Sequence, residues 1–168
     1  TLSVMPLFAS NRLVPRLLSF IAANRGFHLD LESTARPFDD LGGRIDATIW
    51  LAETPDPRFY ARQLGQERII AIAAPALADR IRTPDMIVDL PVLVHRDMPR
   101  AMQVWVKAKG LSAQPGDVSV YDSGQLILDA TAAGLGIAFL LETLVEGDQR
   151  VVPLFDDEEM VASPYNYW

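Results

Sequence analysis

Residues 118–154 read VSVYDSGQLILDATAAGLGIAFLLETLVEGDQRVVPL, and this stretch decides the fold class. VSVYDSG delivers a short strand into a helix start, QLILDATAAGL is an amphipathic helix, GIAFL is a buried strand, and LETLVEGDQRVVPL holds a second helix and strand. Strand, helix, strand, helix, strand with short glycine punctuation is the pattern of a parallel α/β unit. The first helix opens at Asp122, Ser123 and Gly124, where unpaired backbone N–H groups and the positive end of the helix dipole favour an anion such as a carboxylate.

Working outward, the first fifty residues repeat the pattern. Leu2, Val4 and Met5 form a short buried strand that Pro6 stops. A helix is predicted from about Ser10 to Asn24, with Leu13, Leu17, Phe20 and Ile21 at helical spacing, Pro15 in its first turn and Gly26 beyond its end. HLDLEST alternates as a half-buried strand, Phe38 to Gly43 reads as a short helix, and IDATIWL is the next strand. After the Pro-rich loop ETPDP come two extended segments, FYARQLG and ERIIAIAAP. Past Pro75 the pattern restarts with a helix from Ala76 to Ile81, a TPDMIVDL helix, the strand VLVH and a helix from about Met102 to Lys109. Two successive α/β patterns imply two Rossmann-like lobes with a cleft between them, and open sheets of this kind bind ligands at the carboxyl ends of their strands.

Composition narrows the functional classes. The 168 residues are 49% apolar, enough for a sizeable core. Net charge is −7, and Arg12, Arg16, Arg25, Arg36 and Arg44 never form a block, so no basic face for nucleic acid is visible. The absence of cysteine excludes disulfides, thiolate metal sites and a cysteine nucleophile. No apolar run approaches the roughly 18 residues of a membrane span, and no signal segment opens the chain. TLSVMPLF reads as a strand already inside a domain and SPYNYW as a strand entering a sheet, so the chain is expected to be part of something longer. The acidic run 156–159 reads as a solvated loop.

Few constellations favour chemistry. His28 and His95 fall in different lobes, without metal-ligand spacing. Ser123 stands at a strand-to-helix turn, but DSGQL lacks the paired glycines of a nucleophile elbow, so Ser123 reads as a helix cap that can also donate to a ligand. In GLGIAF, Gly134 and Gly136 close a helix and open a strand, the reverse of a dinucleotide loop. The carboxylate pairs Asp39/Asp40 and Asp156/Asp157 lie in polar loops or helix starts, without the burial that acid catalysis needs. No catalytic, metal or cofactor site is therefore expected. What remains is a set of polar groups and one aromatic on strand-end loops: Ser10 and Asn11, Thr34, Trp50, His95, and Asp122 with Ser123. If the lobes face each other, these line one cleft. Helix N-termini at Ser10 and Ser123 then suit a small anionic ligand, with Trp50 as an apolar or stacking wall.

Taken in order, PLFASNRLVPRLLSFIAANRGFHLDLEST, GGRIDATIWLAE, RQLGQERIIAIAAPAL, RTPDMIVDLPVLVH, VYDSGQLILDATAAGLGIAFLLETLV and SPYNYW resemble the effector-binding domain of LysR-type transcriptional regulators. The resemblance is strongest to the subgroup of the glycine-cleavage activator and the beta-lactamase regulator, and it covers essentially the whole chain. It implies a fold similar to type 2 periplasmic binding proteins, with lobe I at about 1–73 and 145–168, lobe II at about 74–144, and two crossover strands. It further implies a cytoplasmic bacterial regulator that binds a small effector, assembles as a homodimer or homotetramer, and reads DNA only through a winged helix-turn-helix expected before Thr1, without membrane or cofactor. The family's C-terminal strand and helix look incomplete here. Ser10 matches the frequent Ser or Thr at the start of the first lobe-I helix and Thr34 the loop after the second strand. Trp50 stands where related sequences often have Arg, and lobe-II contacts come from His95, Asp122 and Ser123. An extracytoplasmic solute-binding protein of the same fold is the alternative. An enzyme of that fold, such as a deaminase or dehydratase, needs a supported base or nucleophile, and none is found.

Overall fold

A computed structural model describes residues 1–34, 38, 40–112, 117–155 and 161–168. The carboxylates Asp39, Asp156 and Asp157, with the rest of the acidic run, lie outside the described residues. The chain divides into two compact units, residues 1–65 with 165–168, and residues 66–164. The polypeptide therefore passes between them twice.

In unit 1, β1 (Leu2–Val4) is the central strand of a parallel sheet, flanked by β2 (Leu31–Ser33) and β3 (Ala47–Ile49), with Leu2 opposite Leu31 on one side and Ala47 on the other. The helix after β1 does not begin at Ser10. It runs unbroken from α1 (Pro6–Phe8) through a π turn (Ala9–Leu13) into α2 (Val14–Ala23). Pro6 does not end the strand into a loop but starts the helix at its first position, where a fixed φ and a missing N–H cost nothing. Pro15 has no N–H to give the preceding turn, and the helix accommodates it with the wide turn, in which the Val14 N–H donates to the Ala9 carbonyl. Gly26, at φ +89°, follows the helix as expected. The short helix expected over 38–43 is absent among the described residues. Turns and an isolated Leu41–Ile45 bridge take its place, with Gly42 at a φ of +87° that no α-helix tolerates. A two-stranded antiparallel ribbon of β4 (Leu51–Ala52) and β11 (Asn166–Tyr167) completes the unit. FYARQLG forms no strand.

Unit 2 contains β5 (Arg68–Ala73), α3 (Pro75–Ala78), a 3₁₀ turn (Pro84–Asp89), β6 (Val92–His95), α4 (Ala101–Ala108), β7 (Val118–Tyr121), α5 (Gly124–Ala132), β8 (Ile137–Leu141), α6 (Glu142–Val145), β9 (Val152–Pro153) and β10 (Val161–Ala162). Its strand order is β10-β5-β8-β6-β7, with β9 also on β5. β7, β6 and β8 are parallel, as the alternation of elements requires. The last strand of that series departs from the expectation: β9 leaves the parallel ladder and pairs antiparallel with β5, so the sheet is mixed. The division of the chain also falls at 65/66 and 164/165 rather than near 73 and 145. β5 pairs with β8 through four residues, and β9 and β10 share its other edge, which holds all of these strands in unit 2. Every residue of β8 is buried, and Trp105, Ile127 and Leu128 cover it from α4 and α5. Burying each such side chain contributes about 1.5–3 kcal/mol. Gly136 fits here for lack of a side chain, since a Cβ would come within 2.4 Å of the Pro91 carbonyl oxygen.

Candidate functional site

The carboxyl ends of β6 and β7 bring three of the seven expected residues together. His95 ends β6 opposite Tyr121 of β7, and the Arg96 N–H donates to the Tyr121 carbonyl at 2.7 Å, carrying the ladder one step further. Asp122 and Ser123 follow Tyr121 directly. A tight turn leads away from β6, with the Met98 N–H donating to the His95 carbonyl at 3.0 Å and Met98 buried in the core. This turn holds the imidazole in place: His95 is 4% exposed, and its Nδ1 accepts the Asp97 N–H at 3.1 Å. Burial pushes the imidazole below its ordinary pKa, partly opposed by the Asp97 and Asp122 carboxylates and assisted by the Arg96 cation. A neutral imidazole whose Nδ1 accepts carries its proton on Nε2, and that N–H is the group left to donate.

Ser123 is the cap of α5, as expected. Its backbone is extended, and its Oγ accepts the Leu126 N–H at 3.4 Å. Asp122 faces Arg96 at 3.6 Å, with both side chains about two-thirds exposed, a pairing too wet to contribute much to stability. Arg96 and Tyr121 belong to this site and were not singled out from the sequence, although Arg96 directly follows the strand VLVH and so had to lie at its carboxyl end.

The other four residues lie in unit 1 and are more dispersed. Thr34 stands at the strand ends, its N–H donating to the Val4 carbonyl at 3.3 Å. Ser10, exposed, and Asn11, half-buried, are on the π turn, one turn beyond the helix start. Ser10 therefore caps nothing, and the true cap position, Met5, makes no side-chain cap bond. Trp50 is 7% exposed; its backbone exchanges hydrogen bonds with Trp168 at 2.9 and 3.2 Å, and its ring meets Phe38 edge-on at 4.9 Å. Phe38 in turn stacks on Phe59 at 5.6 Å. Trp50 is thus a core residue of unit 1 within an aromatic cluster.

Unit 2 also carries a depression of about 540 Å³, walled by Arg68, Trp105, Lys109, Glu142 and Phe155 among others, and none of the seven residues lines it. Among the described residues there is no group of three His, Asp or Glu able to hold a metal ion, and no helix is long and apolar enough to cross a membrane.

The sequence profile of the LysR substrate-binding domain family matches residues 1–167. The chain belongs to this family. Curated relatives of this LysR domain include the HTH-type regulator y4mQ of Sinorhizobium fredii (29% identical, 89% of this chain and 52% of the relative). TrpI of Pseudomonas aeruginosa is 29% identical over 80% of this chain and 48% of its own, and the glycine cleavage system transcriptional activator of Escherichia coli 26% identical over 93% and 53%. The chain spans about half the length of these relatives, all of which are transcriptional regulators and not enzymes. Among solved structures, the effector domain of AmpR from Pseudomonas aeruginosa superposes with a TM-score of 0.85 at 20% identity, covering 99% of this chain and 81% of that one. The AmpR effector-binding domain of Citrobacter freundii gives 0.84 at 24%, covering 99% and 84%. The fold is that of LysR effector-binding domains, similar to type 2 periplasmic binding proteins.

Proposed function

We propose that this LysR domain is the ligand-sensing part of a cytoplasmic bacterial transcriptional regulator, in which a small effector engages strand-end residues and changes how attached DNA-binding domains are presented. The observation that carries this reading is the cluster of His95, Arg96, Asp122 and Ser123 at the carboxyl ends of parallel strands, in a chain whose family profile matches from residue 1 to 167. Thr34 stands at the corresponding ends of unit 1. An effector shifts the population of two domain arrangements only through its different affinity for each, and a coupling of about 1–3 kcal/mol changes promoter occupancy several-fold. DNA is read by a helix-turn-helix, as in the HTH-type regulators this domain resembles. That the relatives are regulators favours this over an extracytoplasmic solute-binding role.

Self-association is part of the same proposal. The helix α2 buries none of its residues and leaves Leu18 82% exposed beside Val14 and Ile21, while β7, an edge strand of unit 2, exposes Val118 and Val120, and α5 exposes Leu126. Apolar faces of this kind on a charged chain fit a second copy, making a homodimer or homotetramer.

A thermal-shift panel of amino acids, aromatic and aliphatic carboxylates, nucleobases and muropeptide fragments tests the sensing role. A ligand at about 100 times its Kd stabilises by roughly 2.7 kcal/mol, a clear rise in Tm. A panel without a single stabilising compound contradicts the reading.

A further inference from the structure

The β6/β7 end of unit 2 mixes donors and acceptors in a way that narrows the chemistry of its ligand; this inference rests on the effector-sensing reading and deepens it. On the donor side, His95 is nine-tenths buried, its Nδ1 is occupied by the Asp97 N–H, and its Nε2 has no partner among the described residues. Ser123 has one lone pair engaged by the Leu126 N–H, which leaves its O–H to donate. Gly124 and Gln125 open the nine-residue α5 ahead of its first intrahelical bond, from the Ile127 N–H to the Ser123 carbonyl, so their N–H groups belong to the unpaired first turn. On the acceptor side stand Asp122, held only loosely by Arg96 at 3.6 Å, and Asp97; both carboxylates are near enough to His95 to act on its charge.

With the imidazole neutral, the cluster holds one cation, Arg96, against two carboxylates. A plain anion on these donors adds a negative charge beside Asp122 and Asp97, with Arg96 already paired to Asp122. A plain cation satisfies Asp122 but offers no acceptor to the His95 Nε2 and Ser123 donors beside it. The geometry points to a zwitterion of the α-amino-acid type. Its carboxylate accepts from His95 Nε2, the Ser123 hydroxyl and the first turn of α5, and its ammonium group donates to Asp122, with Arg96 released to solvent. The sequence alone favoured a simple anion; the Asp122 carboxylate beside the donors is what changes the expectation.

The test titrates the chain by calorimetry with each proteinogenic L-amino acid and with the N-acetyl and carboxamide derivatives of any that binds. Acetate, benzoate and succinate serve as plain carboxylates. An amino acid is expected to bind, and blocking either end of it to weaken binding about tenfold or more, the loss of one charge-assisted contact. In Asp122→Asn, an exposed substitution that leaves folding intact, the free amino acid is expected to fall to the affinity of its N-acetyl derivative. ¹⁵N-histidine NMR, with only two imidazoles in the chain, is expected to show the His95 signal moving on binding while its proton stays on Nε2. Tight binding of a plain carboxylate, indifference to N-acetylation, or a panel of amino acids that all fail while another class of compound binds overturns the zwitterion and leaves the sensing role standing. Failure of every class of compound removes both.

Discussion

The two units use the same supersecondary grammar, parallel strands each followed by a turn and a helix, and reach opposite results at the strand ends. In unit 2 the turn after β7 delivers Asp122 and the capping hydroxyl of Ser123 to the start of α5, and the turn after β6 presents a neutral, buried His95. In unit 1 the turn after β1 delivers Met5, Pro6 and Leu7, which supply neither a capping oxygen nor, at Pro6, an N–H, and the residue after β3 is Trp50, drawn into the core. A helix N-terminus is thus a recognition feature only where its residue types make it one. The capping hydroxyl and the buried imidazole at strand ends are both found in unit 2.

The largest expected effect concerns Trp50. If its ring is core, Trp50→Ala costs about 3–5 kcal/mol in urea unfolding. A cost under about 1 kcal/mol, typical of an exposed site, makes it a surface wall and restores symmetry between the units. Next, Ser123→Ala removes the α5 cap and is expected to cost about 1 kcal/mol, a fall of about 2–4 °C in Tm. The imidazole adds a pH dependence to unit 2. Burial holds its folded pKa below the ordinary imidazole value of about 6.5, so the unfolded chain takes up the proton first. Stability is then full above 6.5 and is lost as pH falls from there towards the folded pKa. Melting curves between about pH 8 and pH 5 should show that loss in the wild type and a smaller one in His95→Gln; equal losses assign it to other groups.

Smaller effects sharpen the picture of unit 1. The Ser3 and Thr48 hydroxyls, on paired residues of β1 and β3, are buried without a partner. Removing an unsatisfied buried hydroxyl returns its desolvation cost, so Ser3→Ala is expected to be neutral or stabilising by up to about 1 kcal/mol. A clear destabilisation would show that the Ser3 hydroxyl has a hydrogen-bond partner in solution. Last, Ser10→Ala is expected to change stability by less than about 0.5 kcal/mol, because Ser10 is exposed and caps nothing. A cost equal to that of Ser123→Ala erases the contrast between the two helix starts.

What could be read from the sequence was local. The Ser123 cap, the parallel β6, β7 and β8 and the stop at Gly134 follow from residue types a few positions apart, and all three stand in the structure. The start of the first helix was misplaced because Pro6 fits a strand end as well as a helix start, and only the hydrogen bond from Ala9 back to Met5 decides between them. The antiparallel pairing of β9 with β5 and the backbone pairing of Trp50 with Trp168 depend on residues far apart in the chain, on which periodicity is silent. Arg96 and Tyr121 escaped notice for a similar reason: neither has a motif, and their place comes from the register of β6 on β7.

We propose the β6/β7 end of unit 2 as the place where the effector is held. Its most direct test is calorimetric titration of wild-type and His95→Gln protein with the compound that most raises Tm, with the fold of the variant verified by circular dichroism. Affinity is expected to fall about tenfold or more while the chain stays folded, the cost of losing a donor to a charged ligand group. An unchanged Kd in the folded variant contradicts it.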